Sequence, residues 1–105
     1  MKICLHKSLG GVSYINKIAE EKADRVILFH LIKELMVDTE MTLEVSDVKK
    51  LKGFKEKVYE IRKKDYRIFY IIKDDIMYIL DIVKKKKNNT EKRYIDTLKK
   101  RIKTL

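Results

Sequence analysis

The chain has 105 residues, 45% of them hydrophobic and 40% charged, which is enough for one small domain (1–105) with a modest core. Its single cysteine, Cys4, excludes an internal disulfide and a cysteine-based zinc site. No apolar run approaches the ~18–20 residues of a membrane span, and the N-terminal MKICLHKS is too short and polar for a signal peptide. We therefore expect a cytoplasmic protein without membrane contact.

The net charge of +10 is distributed unevenly along the chain. Residues 1–48 contain 6 lysines and arginines against 8 aspartates and glutamates, a balance of −2, whereas residues 49–105 contain 20 against 8, a balance of +12. A basic half of this size favours an anionic partner, nucleic acid before membrane. A lysine-rich genome that fills surfaces with lysine is the alternative, but it does not explain why the excess is confined to one half.

The first half predicts a short strand followed by two helices. Residues 2–6 alternate polar and apolar side chains, as a strand does. Ser13 is a candidate N-cap for a helix over 14–22, and Asp24 is a candidate N-cap for a second helix over 25–37. The apolar residues of the second segment follow helical spacing.

The second half predicts three consecutive strands. Residues 38–53 show little pattern beyond a short turn that Ser46 or Asp47 can cap. Aromatic and β-branched residues then dominate, and these are the preferred strand formers. The predicted strands cover residues 57–62, 65–72 and 76–84.

A basic helix closes the chain. Thr90 is its candidate cap, and Ile95, Leu98 and Ile102 form an apolar stripe among lysines and arginines. The order β-α-α-β-β-β-α predicts an α+β domain: an N-terminal strand and two helices, an antiparallel three-strand meander and a C-terminal basic helix. The simplest packing places helices on one face of the sheet.

Two arginines flank the turn between the first two strands of the meander. If the hairpin loop has two or four residues, Arg62 and Arg67 lie opposite each other on one sheet face. Two like charges in this position need an anion or a carboxylate nearby, and Glu60 lies on the same face. The pair therefore predicts either a phosphate-binding site or an internal Arg–Glu cluster on a solvated face.

The lysine run after the third strand adds charge to this region. Alternate residues of a strand point to opposite faces, so the sequence leaves open whether Lys84 and Lys86 or Lys85 faces a given site. A solvated face is the ordinary interpretation of such a run. Tyr94, in the first turn of the basic helix, is a candidate for base stacking or proton transfer, with ordinary helix packing as the alternative.

The remaining ionisable residues give weaker signals. His30 falls within the apolar helix, so we expect a core or edge histidine rather than a ligand. Asp74 and Asp75 adjoin in a turn but have no companion histidine or glutamate cluster, so no metal site is predicted.

The string LKG…VYEIRKKDYRIFYIIKDDIMYILDIVKKKK resembles the core of the RelE/ParE toxin superfamily, and more narrowly its HigB-like branch. The matching features are Tyr59-Glu60-Ile61-Arg62, Tyr66-Arg67-Ile68-Phe69-Tyr70 and a hydrophobic strand that runs into Lys84-Lys85. GGVSYINKI resembles the first helix of that branch, so the resemblance covers nearly the whole chain.

The resemblance implies a RelE-like fold and a type II toxin paired with an antitoxin, commonly a helix-turn-helix protein of the HigA kind. Such toxins enter the ribosomal A site and cleave mRNA without a metal or other cofactor. The ribose 2′-hydroxyl attacks the adjacent phosphate, and cationic side chains stabilise the charge that develops.

Carried over by position, the resemblance implies catalytic roles for Arg62, Arg67, Lys85, Lys86 and Tyr94. The basic residues expected to hold the nucleic-acid backbone are Lys57, Lys63, Lys64, Lys84, Lys87, Lys92 and Arg93. The chain departs from the RelE pattern at Val58 and Glu60, where RelE-like members carry catalytic lysines.

The leading hypothesis is therefore a ribosome-dependent mRNA endoribonuclease. A ParE-like gyrase inhibitor without nuclease chemistry shares the fold and is one alternative. An inactive relative that only binds its partner or nucleic acid is another alternative, because Val58 and Glu60 replace the two lysines of RelE-like members.

Overall fold

The computed structural model describes residues 1–11, 13–85 and 92–105. A five-stranded sheet forms its centre. The strands are β1 (Lys2–Leu5), β2 (Asp47–Lys50), β3 (Tyr59–Lys63), β4 (Tyr66–Lys73) and β5 (Ile76–Lys84). The helices are a 3-10 turn (Lys7–Leu9), α1 (Tyr14–Ile18), α2 (Lys22–Val37), α3 (Thr39–Val45) and α4 (Lys92–Lys103).

The strands lie in the order β1-β5-β4-β3-β2. The pairing of β1 with β5 is parallel, and the other three pairings are antiparallel. The predicted meander β3-β4-β5 is confirmed, and its two connections are tight turns. Lys64 has φ 56° in the first turn, and Asp74 and Asp75 have φ 54° and 60° in the second. Asp tolerates this left-handed backbone better than most residues, which favours a turn there.

Helices cover both faces of the sheet, so the expectation of a single covered face was wrong. One core packs α1 and α2 against residues that include Ile61, Ile68 and Ile79. A second, smaller core on the opposite face joins Leu98 of α4 to Phe69 and Leu80. The reason is visible in β4 and β5, whose residues are buried on both sides rather than on alternate ones.

The sequence patterns missed α3, β2 and the short 3-10 turn Lys7–Leu9. In α3 the threonines bond back to preceding carbonyls, with Thr39 donating to Leu35 and Thr42 to Asp38, both at 2.6 Å. Such a short, threonine-containing segment has weak helical propensity, so packing against α2 must stabilise it. In β2 only Val48 is apolar, so alternation gives almost no signal.

The two predicted N-caps also differ from the structure. Ser13 occupies the cap position of α1, but its hydroxyl makes no capping bond and donates to the Gly10 carbonyl instead. Asp24 is not a cap. The cap of α2 is Glu21, and Asp24 lies inside the first turn, buried against the sheet.

Polar contacts hold the C-terminal end of α4 against the sheet and the N-terminal segment. The apolar stripe is confirmed for Leu98, which is buried, and for Ile102, which packs against the second core. Arg101 Nη1 donates to the Leu80 carbonyl at 2.7 Å and pairs with Asp81 at 3.0 Å. His6 Nε2 lies 2.8 Å from the Thr104 hydroxyl. In the part of the chain that the structure describes, no helix is both long and apolar enough to cross a membrane.

Candidate functional site

The arginine pair lies as the two-residue loop predicts. Arg62 on β3 and Arg67 on β4 are direct partners in the ladder, separated by the turn Lys64-Asp65. Directly opposed residues share a face, and the face is that of Glu60. The predicted opposition of Arg62 and Arg67 is thus confirmed.

Glu60 lies beneath the arginines and is almost fully buried, with 1% of its side chain exposed. Its Oε2 is 3.6 Å from Arg62 Nε, its Oε1 is 3.6 Å from Arg67 Nε, and the same Oε1 is 4.0 Å from Lys85 Nζ. Among the described residues, three cations therefore face one carboxylate. Within the described residues, Glu60 Oε1 and Arg62 Nε have no hydrogen-bond partner.

The three cations differ in access to solvent. Arg62 exposes 35% of its side chain, Arg67 13% and Lys85 4%. Arg67 Nη1 donates to the carbonyls of Lys64 at 3.0 Å and Tyr66 at 2.9 Å, so this guanidinium also holds the turn. Arg62 is the cation of the three that an incoming anion reaches first.

The sequence left open which lysine of the run lies on the face of the arginines. Lys85 joins the arginines, whereas Lys84 points to the opposite face, with Nζ 5.9 Å from the centre of the Tyr66 ring. The backbone N–H of Lys85 donates to the Asp65 carbonyl at 2.7 Å, which ties the strand end to the turn. Burial lowers the pKa of Lys85, Glu60 opposes this shift, and Arg67, Arg62 and Lys49 add to it.

A second buried carboxylate holds the same turn from the other face. Lys64 Nζ lies 2.8 Å from Asp24 Oδ1, and the Tyr66 hydroxyl donates to Asp24 Oδ2 at 3.0 Å. These two bonds, that of Lys64 first, lower the pKa of Asp24, and its hydrogen bond raises the pKa of Lys64. Burial and the bond to Asp24 raise the pKa of Tyr66 to about 12. Lys64 thus pairs with Asp24 while 53% of its side chain stays exposed, and its role in holding nucleic acid stays a prediction.

Tyr94 is half-buried on α4. Burial, then Asp81, raises the pKa of Tyr14, and Tyr94 adds a smaller rise. The Tyr14 hydroxyl donates to Asp81 at 3.4 Å, and Arg101 pairs with the same carboxylate. The catalytic role of Tyr94 stays a prediction.

The other predicted basic residues are only partly described. Lys57 and Lys63 are exposed and available to a polyanion. Lys86 and Lys87 lie outside the described residues, as do the side chains of Lys92 and Arg93.

Lys49 was missed because β2 was missed. It is exposed and pairs in register with Glu60, which places it on the face of the arginines. Asp47, the register partner of Arg62, is also exposed and adds one carboxylate to this rim.

Val58 and Glu60 stand where RelE-like members carry lysines. Val58 is fully buried in the second core and Glu60 is buried below the arginines, so neither position presents a side chain to solvent. The positive charge at this site comes instead from Arg62 and Lys85.

The minor signals are settled in part. His30 is exposed and pairs with Glu34 at 2.8 Å, so the expected core or edge position was wrong. Asp74 and Asp75 form the β4–β5 turn. Among the described residues, no group of three histidine, cysteine, aspartate or glutamate side chains is arranged to hold a metal.

Comparison with known proteins assigns the family and the fold. A search of curated proteins found no significant match. A solved structure, titled as the archaeal RelE–RelB complex from Pyrococcus horikoshii OT3, is similar to this chain at 24% identity and a TM-score of 0.59, covering 82% of this chain and 96% of that one. The likeness establishes a RelE-like α+β fold, as the sequence predicted. Residues 14–103 match the family described as Phage derived protein Gp49-like (DUF891), and the chain therefore belongs to the Gp49-like family.

Proposed function

We propose that this protein is the toxin of a type II toxin–antitoxin system, of the HigB-like kind, and that it cleaves mRNA on the ribosome in the cytoplasm. The observation that carries the proposal is the cluster around Glu60, where three cations share one buried carboxylate. Three cationic side chains grouped beside a tight turn suit a phosphate that gains negative charge during reaction.

The reaction we propose needs no external reactant. The 2′-oxygen of a ribose forms a bond to the adjacent phosphorus, the bond from phosphorus to the 5′-oxygen breaks, and a 2′,3′-cyclic phosphate results. The 2′-hydroxyl gives its proton to solvent water and the leaving 5′-oxygen takes one from Lys85, so the protons balance. Charge on the non-bridging oxygens rises in between, and there a fixed guanidinium stabilises the transition state more than the ground state.

Arg62 binds the phosphate in this scheme, because it combines exposure with a guanidinium held at the turn by Glu60. Its planar fork suits two phosphate oxygens. Arg67 holds the turn carbonyls and adds its charge from below. Lys85 is the candidate proton donor to the leaving oxygen, because burial lowers its pKa and so makes it the readier of the cations to release a proton.

The surrounding lysines hold the backbone of the RNA. Lys49 is exposed on the face of the arginine pair, Lys63 is exposed at the end of β3 next to the turn, and Lys57 is exposed before β3. Lys84, Lys86, Lys87, Lys92 and Arg93 extend the same charge along the chain. Binding through several lysines should weaken steeply with salt.

An antitoxin completes the proposed system. The similar solved structure is titled as a RelE–RelB complex, which supports a protein partner for this chain as well. We propose that the partner is a helix-turn-helix protein of the HigA kind, encoded by a neighbouring reading frame.

One observation favours a second candidate, an RNA-binding module that does not cut. Arg67 and Lys85 are largely shielded, with 13% and 4% of their side chains exposed. A proton donor must come within hydrogen-bond reach of the leaving oxygen. In this alternative the cluster only attracts the RNA backbone.

A reconstituted assay separates these candidates. Purified protein is mixed with mRNA alone, with ribosomes programmed by the same mRNA, and with DNA gyrase and relaxed plasmid. Cleavage that requires the ribosome supports the proposal. RNA binding without cleavage supports the second candidate, and loss of supercoiling with intact mRNA would move the assignment to a gyrase inhibitor.

A further inference from the structure

The end of α2 and the whole of α3 form a surface unlike the rest of this basic protein. Residues 34–45 contain Glu34, Asp38, Glu40 and Glu44 and no lysine or arginine, in a chain of net charge +10. All four carboxylates are exposed. We call this segment the acidic surface.

The acidic surface also exposes large apolar side chains. Val37 is 79% exposed and Val45 is 76% exposed, and Met36 and Met41 are exposed beside them. Val45 follows Met41 by one helical turn, so both lie on one side of α3. Apolar side chains that cluster within a polar rim mark a contact surface more often than scattered ones do.

Val37 lines two surface pockets, which we call the two hollows. One, of about 280 Å³, lies between α2 and α3 and is lined by Val37, Thr42 and Glu34 among others. The second, of about 240 Å³, is lined by Val37, Met36, Glu40 and Asp75, so the β4–β5 turn adds a further carboxylate. The cation Lys33 and the imidazole of His30 border the first hollow.

We propose that the acidic surface binds a basic amphipathic helix of a partner protein. Its apolar side chains would enter the two hollows beside Val37, and its lysines or arginines would meet Glu34, Asp38, Glu40 and Glu44. Helices bind grooves in this manner through residues spaced three and four apart. The proposal goes beyond the nuclease function and does not depend on it.

The charges favour this occupant over two others. Nucleic acid is repelled by four carboxylates. A second copy offers no suitable helix among the described residues, because the apolar stripe of α4 is already packed into its own core. A symmetric contact between two acidic surfaces would bring like charges together, and a head-to-tail contact would leave open chains.

The test uses the full-length protein and a synthetic labelled helix of about 18 residues, with leucines spaced three and four apart and lysines elsewhere. Fluorescence anisotropy measures its dissociation constant. We expect that Val37→Ser with Val45→Ser raises this constant at least about tenfold, and that Glu40→Gln with Glu44→Gln does the same. The matched controls, Val26→Ser on the first half of α2 and Glu56→Gln outside the surface, should leave it unchanged.

Three outcomes would overturn the proposal. One is no binding, or binding that neither double variant weakens. Another is equal binding of a helix that carries glutamates in place of lysines. The third is a dimer in light scattering that the Val37→Ser, Val45→Ser protein loses, because a second copy would then occupy the surface.

Discussion

Two buried carboxylates, Asp24 and Glu60, lie on opposite faces of the same sheet and hold the same turn. Asp24 makes direct contacts of 2.8 Å to Lys64 and 3.0 Å to Tyr66. Glu60 faces three cations at 3.6 to 4.0 Å, and within the described residues its Oε1 accepts no hydrogen bond. Asp24 accepts a hydrogen bond from each of its two partners, whereas Glu60 faces three cations at longer distances.

These contacts suit Asp24 to a structural role at the turn and Glu60 to a candidate functional site. Asp24 fixes the turn through the Lys64 side chain, while the Arg67 guanidinium on the other face donates to the Lys64 carbonyl and the Lys85 backbone N–H donates to the Asp65 carbonyl. A turn held on both faces keeps Arg62 in place. In the function we propose, Arg62 then binds a phosphate.

The largest expected effect is that of Glu60→Gln on stability. The variant removes the carboxylate that faces the largely shielded Arg67, and loss of one partner of a buried pair costs about 3 kcal/mol. Partial exposure of Arg62 keeps the cost at this lower end. Urea denaturation measures it, with the exposed Glu56→Gln as control, and equal midpoints for the Glu60 variant and wild type would show that the cluster is not an energetic unit.

Next comes the exchange Lys85→Arg in ribosome-dependent cleavage. Arginine keeps the charge but does not release a proton, so single-turnover cleavage should fall about 100-fold. In wild type the rate should fall as pH rises through the pKa of Lys85, which burial places below 10.5. The variant should lose this fall, and an unchanged rate and profile would remove Lys85 from proton transfer.

Asp24→Asn is expected to act less strongly and in a pH-dependent way. The folded pKa of Asp24 is lowered, chiefly by the bond to Lys64, so the unfolded state binds more protons near the ordinary value of about 4. The resulting stability is present above that pH and is lost as pH falls through the folded pKa. Thermal midpoints of wild type and variant should therefore differ at pH 6 and converge towards pH 3, and a constant difference would contradict the clamp.

The smallest predicted change is that of Lys49→Gln on RNA binding. Lys49 is exposed beside the cluster, so its removal should weaken binding a few-fold and reduce the slope of log K against log salt by about one unit. Lys73→Gln, at the far end of β4, removes the same charge and serves as control. Equal effects of the two variants would mean that net charge alone attracts RNA.

The sequence predicted most of the sheet and part of the site. Dense aromatic and β-branched residues predicted β3, β4 and β5. The opposition of Arg62 and Arg67 was predicted only for a loop of two or four residues, and the loop has two. By contrast, β2 has one apolar residue, so its pairing, and with it the place of Lys49, depends on the finished sheet. The hydrophobic pattern alone also gave no reason to bury Asp24, because its two partners lie 40 and 42 residues away in the chain.

The most direct test of the account is the effect of Arg62→Gln on mRNA in growing bacteria. Wild type, Arg62→Gln and Lys73→Gln are induced at equal levels, and the 5′ ends of mRNA are mapped. The account predicts in-frame cuts in translated mRNA with wild type and Lys73→Gln, and their loss with Arg62→Gln. Cuts that persist in Arg62→Gln, or growth arrest by wild type without any cuts, would contradict it.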